Sequence, residues 1–244
     1  MGAHMGAFDA ENFFILHADL PREGPGETAD VAWAAEVAGL EPAARICDAA
    51  SGPGGDIGAL LRAAPEGHVT AIDRHAPFIE AARARWGQHD RVTLRVGDYL
   101  DLPDRYDLIW CAGAVYFAGI ETALTTWRGA LTKGGVIAFS EPCLFSDSPS
   151  QGAVDFWQGH APLTDARGIA ARVTASGFET LATRRITDIG WESYFRPLLD
   201  RVATLRQGAD PRLTAVLDEA ETEARAWWAH RRETGYLLCV VRPA

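Results

Sequence analysis

The sequence predicts a doubly wound α/β domain: a mostly parallel sheet of seven strands with helices on both faces. Three observations carry that expectation. Short apolar runs alternate with stretches of helical periodicity from about residue 43 to residue 187, the rhythm of strands joined by crossover helices. The first run, Ala44 to Asp48, empties into a glycine loop, Ser51-Gly-Pro-Gly-Gly55, followed by a helix start at Asp56. The chain has 244 residues, 48% of them hydrophobic, enough to bury the core of one large domain.

Each element follows in order. Helices are expected over Ala10 to Ala18 and Glu27 to Ala38, separated by the stiff connector Leu20-Pro-Arg-Glu-Gly-Pro-Gly26. After the glycine loop come strand His68 to Asp73, helix Ala76 to Trp86 and strand Val92 to Gly97. Strand Tyr106 to Ala112, helix Ile120 to Leu131, a Gly134-Gly135 turn and strand Val136 to Glu141 follow. A helix over Asp165 to Ser176 precedes the last two strands, Phe178 to Thr187 and Tyr236 to Arg242. Between those strands lies a helical, aromatic-rich insertion, long enough to be a lid or a dimer element rather than a connector. The domain plan is therefore an N-terminal helical cap (6–42), a core (43–187), the insertion (188–234) and a final core strand (235–244). Met1 to Met5 looks like a vector-derived leader, so His4 is set aside from any metal argument.

Composition excludes several classes. The net charge of -10 disfavours a phosphate-backbone partner. No apolar run reaches membrane-spanning length and no signal peptide is visible. Cys47, Cys111, Cys143 and Cys239 are isolated, with no C-x-x-C pair, so buried thiols are expected rather than a metal site or disulfides. A soluble cytoplasmic protein is the expectation.

The glycine loop selects the ligand. Gly52 and Gly54 expose bare backbone where a cofactor can approach. A dinucleotide fingerprint needs a third glycine where this chain has Ile57, and Gly58 comes one residue late. The segment does carry D-x-G-x-G-x-G through Asp48, Ala50, Gly52 and Gly54, with Ala50 in the first glycine's place and Ser51 beside it. That pattern resembles motif I of the class I S-adenosylmethionine (SAM) dependent methyltransferases, whose core is a Rossmann-like sheet. Asp73 ends the second strand 21 positions after Gly52, the place from which a carboxylate accepts from both ribose hydroxyls. Arg74 adjoins it, and Phe78 is placed either beside the adenine or in the core.

Three further segments are similar to the same family. Gly97-Asp98-Tyr99 resembles its adenine motif, and Ala112-Gly113 its small-residue opening for the methionine part of SAM. Leu131-Thr-Lys-Gly-Gly-Val136 looks like its turn before strand five. Outside the core, Arg22-Glu-Gly-Pro-Gly26 resembles a turn in a bacterial subgroup, which implies that Arg22 and Gly24 close over SAM and that Arg22 pairs with its carboxylate.

Methyl transfer needs alignment more than a fixed catalytic signature, and a base only when the acceptor must lose a proton. Candidates at the sheet's carboxyl edge are Tyr116, Glu141 and His160 for catalysis. Tyr116, Trp157, His160 and Tyr194 are candidates for an acceptor-binding wall. Each has a plain alternative: an arginine pair for Glu141, a surface position for His160, core packing for the aromatics. The expected activity is methyl transfer to a small-molecule acceptor without a metal. A dinucleotide oxidoreductase and a non-catalytic SAM-binding or oligomerisation module, including a homodimer, are the competing readings.

Overall fold

The computed structural model describes residues 9–157 and 163–244. Strands β1 (Arg45–Ala49), β2 (His68–Asp73), β3 (Val92–Val96), β4 (Tyr106–Cys111) and β5 (Leu131–Leu144) run parallel. β8 (Thr234–Pro243) lies antiparallel between β5 and β7 (Phe178–Arg185), giving the order β3-β2-β1-β4-β5-β8-β7. A two-residue strand, β6 (Thr164–Asp165), pairs with the end of β5. The chain reverses its strand order between β1 and β4, the place where open α/β sheets leave a crevice beyond their carboxyl ends.

Side chains alternate between two apolar layers. Ile46 and Leu108 point into one, with α1 (Ala10–His17), α2 (Thr28–Ala38) and α3 (Ile57–Ala63). Cys47 and Ile109 point into the other, with α6 (Ile120–Trp127) and α8 (Ala166–Ala175). α4 (Ala76–Trp86) returns the chain from β2 to β3. All four cysteines are free and buried. No helix among the described residues is long and apolar enough to cross a membrane.

The insertion is a helix pair, α9 (Asp188–Arg206) and α10 (Pro211–His230), packed together and against α1. Thr187 and Asp210 accept from Gly190 and Leu213 backbone N–H groups and so fix both helix starts. Trp227 is buried in the core layer while Trp228 stays exposed, as adjacent positions on one helix dictate.

Some boundaries depart from expectation. The helix after Ile120 ends at Trp127 and tightens into a 3-10 turn over Arg128–Ala130. Strand five starts at Leu131, not Val136, because Leu131 already pairs with Tyr106; a bulge between Tyr106 and Leu108 absorbs the glycines. A Cβ on Gly135 would stand 2.8 Å from the Tyr106 carbonyl oxygen, which explains a residue that reads as a turn inside a strand. The short helices α5 (Val115–Ala118) and α7 (Gln151–Asp155) were unexpected, being too brief to show a period.

Candidate active site

Above the carboxyl ends of β1, β2 and β4, beneath α1, α9 and α10, lies a cavity of about 970 Å³. That volume sits at the upper end of small-molecule sites and leaves room for a cofactor and an acceptor together.

One half is built by the glycine loop. Ala50, Gly52 and Gly54 all take positive φ, at 59°, 54° and 80°. For Ala50 this left-handed turn costs about 1–2 kcal/mol, strain that fixes the loop's path where a glycine would be relaxed. Asp73 pins the loop from the next strand. Its two carboxylate oxygens accept from the Gly52 N–H at 2.9 Å and the His75 N–H at 2.8 Å. Asp48 is fully buried, and its Oδ2 has no hydrogen-bond partner among the described residues. Burial, reinforced by Asp56 and Asp73, pushes its pKa well above the usual carboxylate range.

The N-terminal turn closes this half. Arg22 donates to the carbonyls of Gly24 and Gly26 and pairs with Asp56 at 3.3 Å. Asp56 also accepts from the Trp110 indole at 3.0 Å, so the turn is tied to both the start of α3 and β4. Glu23 receives His17 Nδ1 at 2.6 Å. A Cβ on Gly55 would stand 2.9 Å from the Pro21 carbonyl oxygen, so a bare backbone there lets the turn close.

The other half is aromatic. Tyr116, Phe156, Trp157, Trp191, Tyr194 and Tyr236 wall it. Trp191 stacks on Tyr236 with ring centres 5.2 Å apart, and the Trp157 indole donates to Thr234 at 2.6 Å. Burial pushes the Tyr116 hydroxyl up to about 12 and raises those of Tyr194 and Tyr236 well above the ordinary phenol value, so all three are neutral.

Most residues singled out from the sequence meet on this cavity: Arg22, Gly24, Asp48, Ala50, Ser51, Gly52, Asp73, Arg74, Phe78, Ala112 and Gly113 on the loop side, with Tyr116, Trp157 and Tyr194 beyond. Four do not. Gly54 turns the loop behind the wall, where a Cβ would strike Ile57. Asp98 is exposed and accepts from the Leu100 N–H in its own turn. Tyr99 packs edge-on to Trp127 and donates to the carbonyl of Ala114, itself on the wall, without lining the cavity. Glu141 is buried off the cavity at 3.5 Å from Arg172, so its expected place in the crevice is corrected: its strand position turns it toward α8. His160 lies outside the described residues. Sequence reasoning missed His17, Glu23, Phe14, Asp56, Tyr236 and Glu223 on the wall. Of these only Asp56, at a helix start beside the glycine loop, carried a local signal. The others arrive from distant elements.

Residues 46–135 match the family model described as a methyltransferase domain. Fold, glycine loop and this partial family match make the chain similar to the class I SAM-dependent methyltransferases. Among curated proteins it is 26% identical to the trans-aconitate 2-methyltransferase of Paracidovorax citrulli over 205 residues, 80% of this chain and 78% of that one. Its fold is shared with a SAM-dependent methyltransferase from Geobacter sulfurreducens solved with S-adenosylhomocysteine (SAH). That likeness has TM-score 0.80 and 20% identity, covering 96% of this chain and 98% of the other. YjhP from E. coli has the same fold, with TM-score 0.81, 19% identity and coverage of 96% and 99%.

The cavity fits the cofactor such a protein needs. SAM brings a sulfonium and an ammonium, and the buried Asp48 oxygen without a partner is a group that a cation completes. Gly52→Val should abolish SAH binding, because the branched side chain is strained at φ 54° and its Cβ would press within 3.0 Å of Glu23 on the cavity wall. A folded variant that binds SAH as the parent does in calorimetry would dismiss the loop assignment.

Proposed function

We propose that the cofactor occupies the glycine-loop half of the cavity and that a small-molecule acceptor is methylated from the aromatic half. The observation that carries this reading is the continuity of one chamber from the glycine loop to the wall of rings. SAM, when bound, supplies an activated methyl group. The chain's own work is to orient and to exclude water. Asp73, already fixed by two backbone N–H groups, has lone pairs left for the ribose hydroxyls. Asp48 faces the positive groups, and Arg22 holds the Gly24 turn over them. His17, held by Glu23 through Nδ1, lines the chamber between the two halves.

α9 and α10 act as a cap on this chamber, since Trp191, Tyr194 and Glu223 reach its wall from them while their other faces pack on the same chain's α1. This favours the lid over the dimer reading. The core at 43–187, completed by the strand at 235–244, would then be the catalytic body. Four buried free thiols fit a cytoplasmic setting. The relative from Paracidovorax citrulli is named for trans-aconitate, a tricarboxylate. The arginines on this wall are Arg22, committed to its turn, and Arg74 beside the ribose site, so such an acceptor has no matching cluster of cations among the described residues.

Calorimetry with SAH, followed by a screen of acceptors for SAH production, tests the proposal; absence of SAH binding would end it. A second outcome is expected from Asp48. Burial disfavours the charged form of its carboxyl in the ligand-free protein, and a cation beside it favours that form again. SAM binding should therefore be accompanied by proton release over the pH range in which this carboxyl titrates. Binding enthalpies that are the same in buffers of different ionisation enthalpy would contradict this.

A further inference from the structure

The chamber holds one carboxylate that the cofactor's share of the site leaves unexplained. Glu223, on α10, lines the aromatic half and makes no hydrogen bond or ion pair with any described residue. Its side chain is exposed, as one projecting from α10 into an open chamber is. Its electrostatic neighbours are the phenols of Tyr116, Tyr194 and Tyr236, together with His17. Glu219, one helical turn earlier, adds a second carboxylate to the same wall. No lysine lines the chamber; Arg22 is spent on its turn, and Arg74 and His75 stand at the glycine-loop end.

A carboxylate that shares a chamber wall with aromatic rings and has no ion-pair partner offers a site that a cationic ligand can complete. Rings and a carboxylate together recognise an ammonium through cation–π attraction and a charged hydrogen bond. Resting on the methyl-transfer reading above, we infer that the acceptor is a small amine with an apolar body, bound by Glu223 and methylated on nitrogen.

The step balances without a further reactant. The amine enters as an ammonium, and the Glu223 carboxylate takes one N–H proton, leaving a neutral nitrogen with its lone pair. That pair forms the new N–C bond as the C–S bond breaks, with the departing electrons staying on sulfur. The product is again an ammonium. Burial pushes Glu223 up to about 6, partly offset by His17, which leaves it ionised at neutral pH and a better proton acceptor than an ordinary carboxylate.

Three isosteric probes test the inference on SAH-saturated protein: phenethylamine (positive), 2-phenylethanol (neutral) and phenylacetate (negative). Calorimetry should show phenethylamine binding about tenfold tighter than 2-phenylethanol, with phenylacetate weakest. Glu223→Gln, which keeps shape and removes charge, should bring the first two within about twofold while SAH affinity stays unchanged. With SAM in place of SAH, methylated amine should form and methylated alcohol should not. Equal binding of amine and alcohol, preference for phenylacetate, binding of none of the three, or an unaltered preference in Glu223→Gln would each overturn the inference. Failure of SAH itself to bind would instead remove the methyltransferase reading beneath it.

Discussion

Replacing Asp73 by alanine should weaken SAH binding by about 100-fold or more, the larger part of it from the lost ribose contacts. Each hydrogen bond from a hydroxyl to a buried carboxylate is worth about 1.5–3 kcal/mol, and the proposed site makes two. The same substitution orphans the Gly52 and His75 N–H groups, which Asp73 now accepts at 2.9 and 2.8 Å. Thermal unfolding should accordingly show a loss of about 1–3 kcal/mol even without ligand. Asp73→Asn separates the two effects. An amide can still accept one backbone N–H but opposes the other and carries no charge, so binding should fall more than stability does. An alanine variant that folds and titrates with SAH like the parent would show that the sugar is held elsewhere.

Glu141→Gln should flatten the dependence of folding stability on pH. Glu141 is only 3% exposed, Arg172 stands 3.5 Å away, and its Oε2 has no hydrogen bond among the described residues. Burial pushes its carboxyl from 4.5 up to about 7; Arg172 opposes that shift and Glu121 adds to it. The native state thus binds this proton more tightly than the unfolded chain. Its contribution is complete below about pH 4.5 and is lost as pH rises through about 7, with a ceiling of about 3 kcal/mol. Glutamine stays neutral throughout. Urea unfolding at pH 5 and pH 8 should show a smaller difference for the variant than for the parent, by about 2–3 kcal/mol. Asp30 and Glu223, both raised to about 6, act in the same direction but are present in both proteins and cancel in the comparison. Coincident pH profiles would mean that Arg172, itself held by Glu121 at 2.7 Å, already neutralises the site.

What could be read in the sequence was local. The glycine loop, Asp73 at its distance from Gly52, and the small residues Ala112 and Gly113 lie within one strand-loop-helix unit or at a neighbouring strand tip. The fold repeats that geometry whatever surrounds it. The doubly wound sheet was legible for the same reason, since apolar runs and crossover helices alternate along the chain. Glu141 shows where local reading fails: position at a strand's end was right, yet alternation sends its side chain to the face of α8, where Arg172 waits. Gly134 and Gly135 read as a turn because no residue pattern announces a bulge set by a partner strand.

The sequence by itself determined the sheet and its glycine loop and set the expectation of SAM, because those depend on residues within a few turns of one another. Only the tertiary structure decided what lies opposite. His17 and Glu23 come from the first 23 residues, Trp191 and Tyr194 from α9, and Glu223 from α10. They share one chamber because helices far apart in the chain bury their apolar faces together, and that burial, rather than any spacing between them, sets Glu223 on the same wall as the rings.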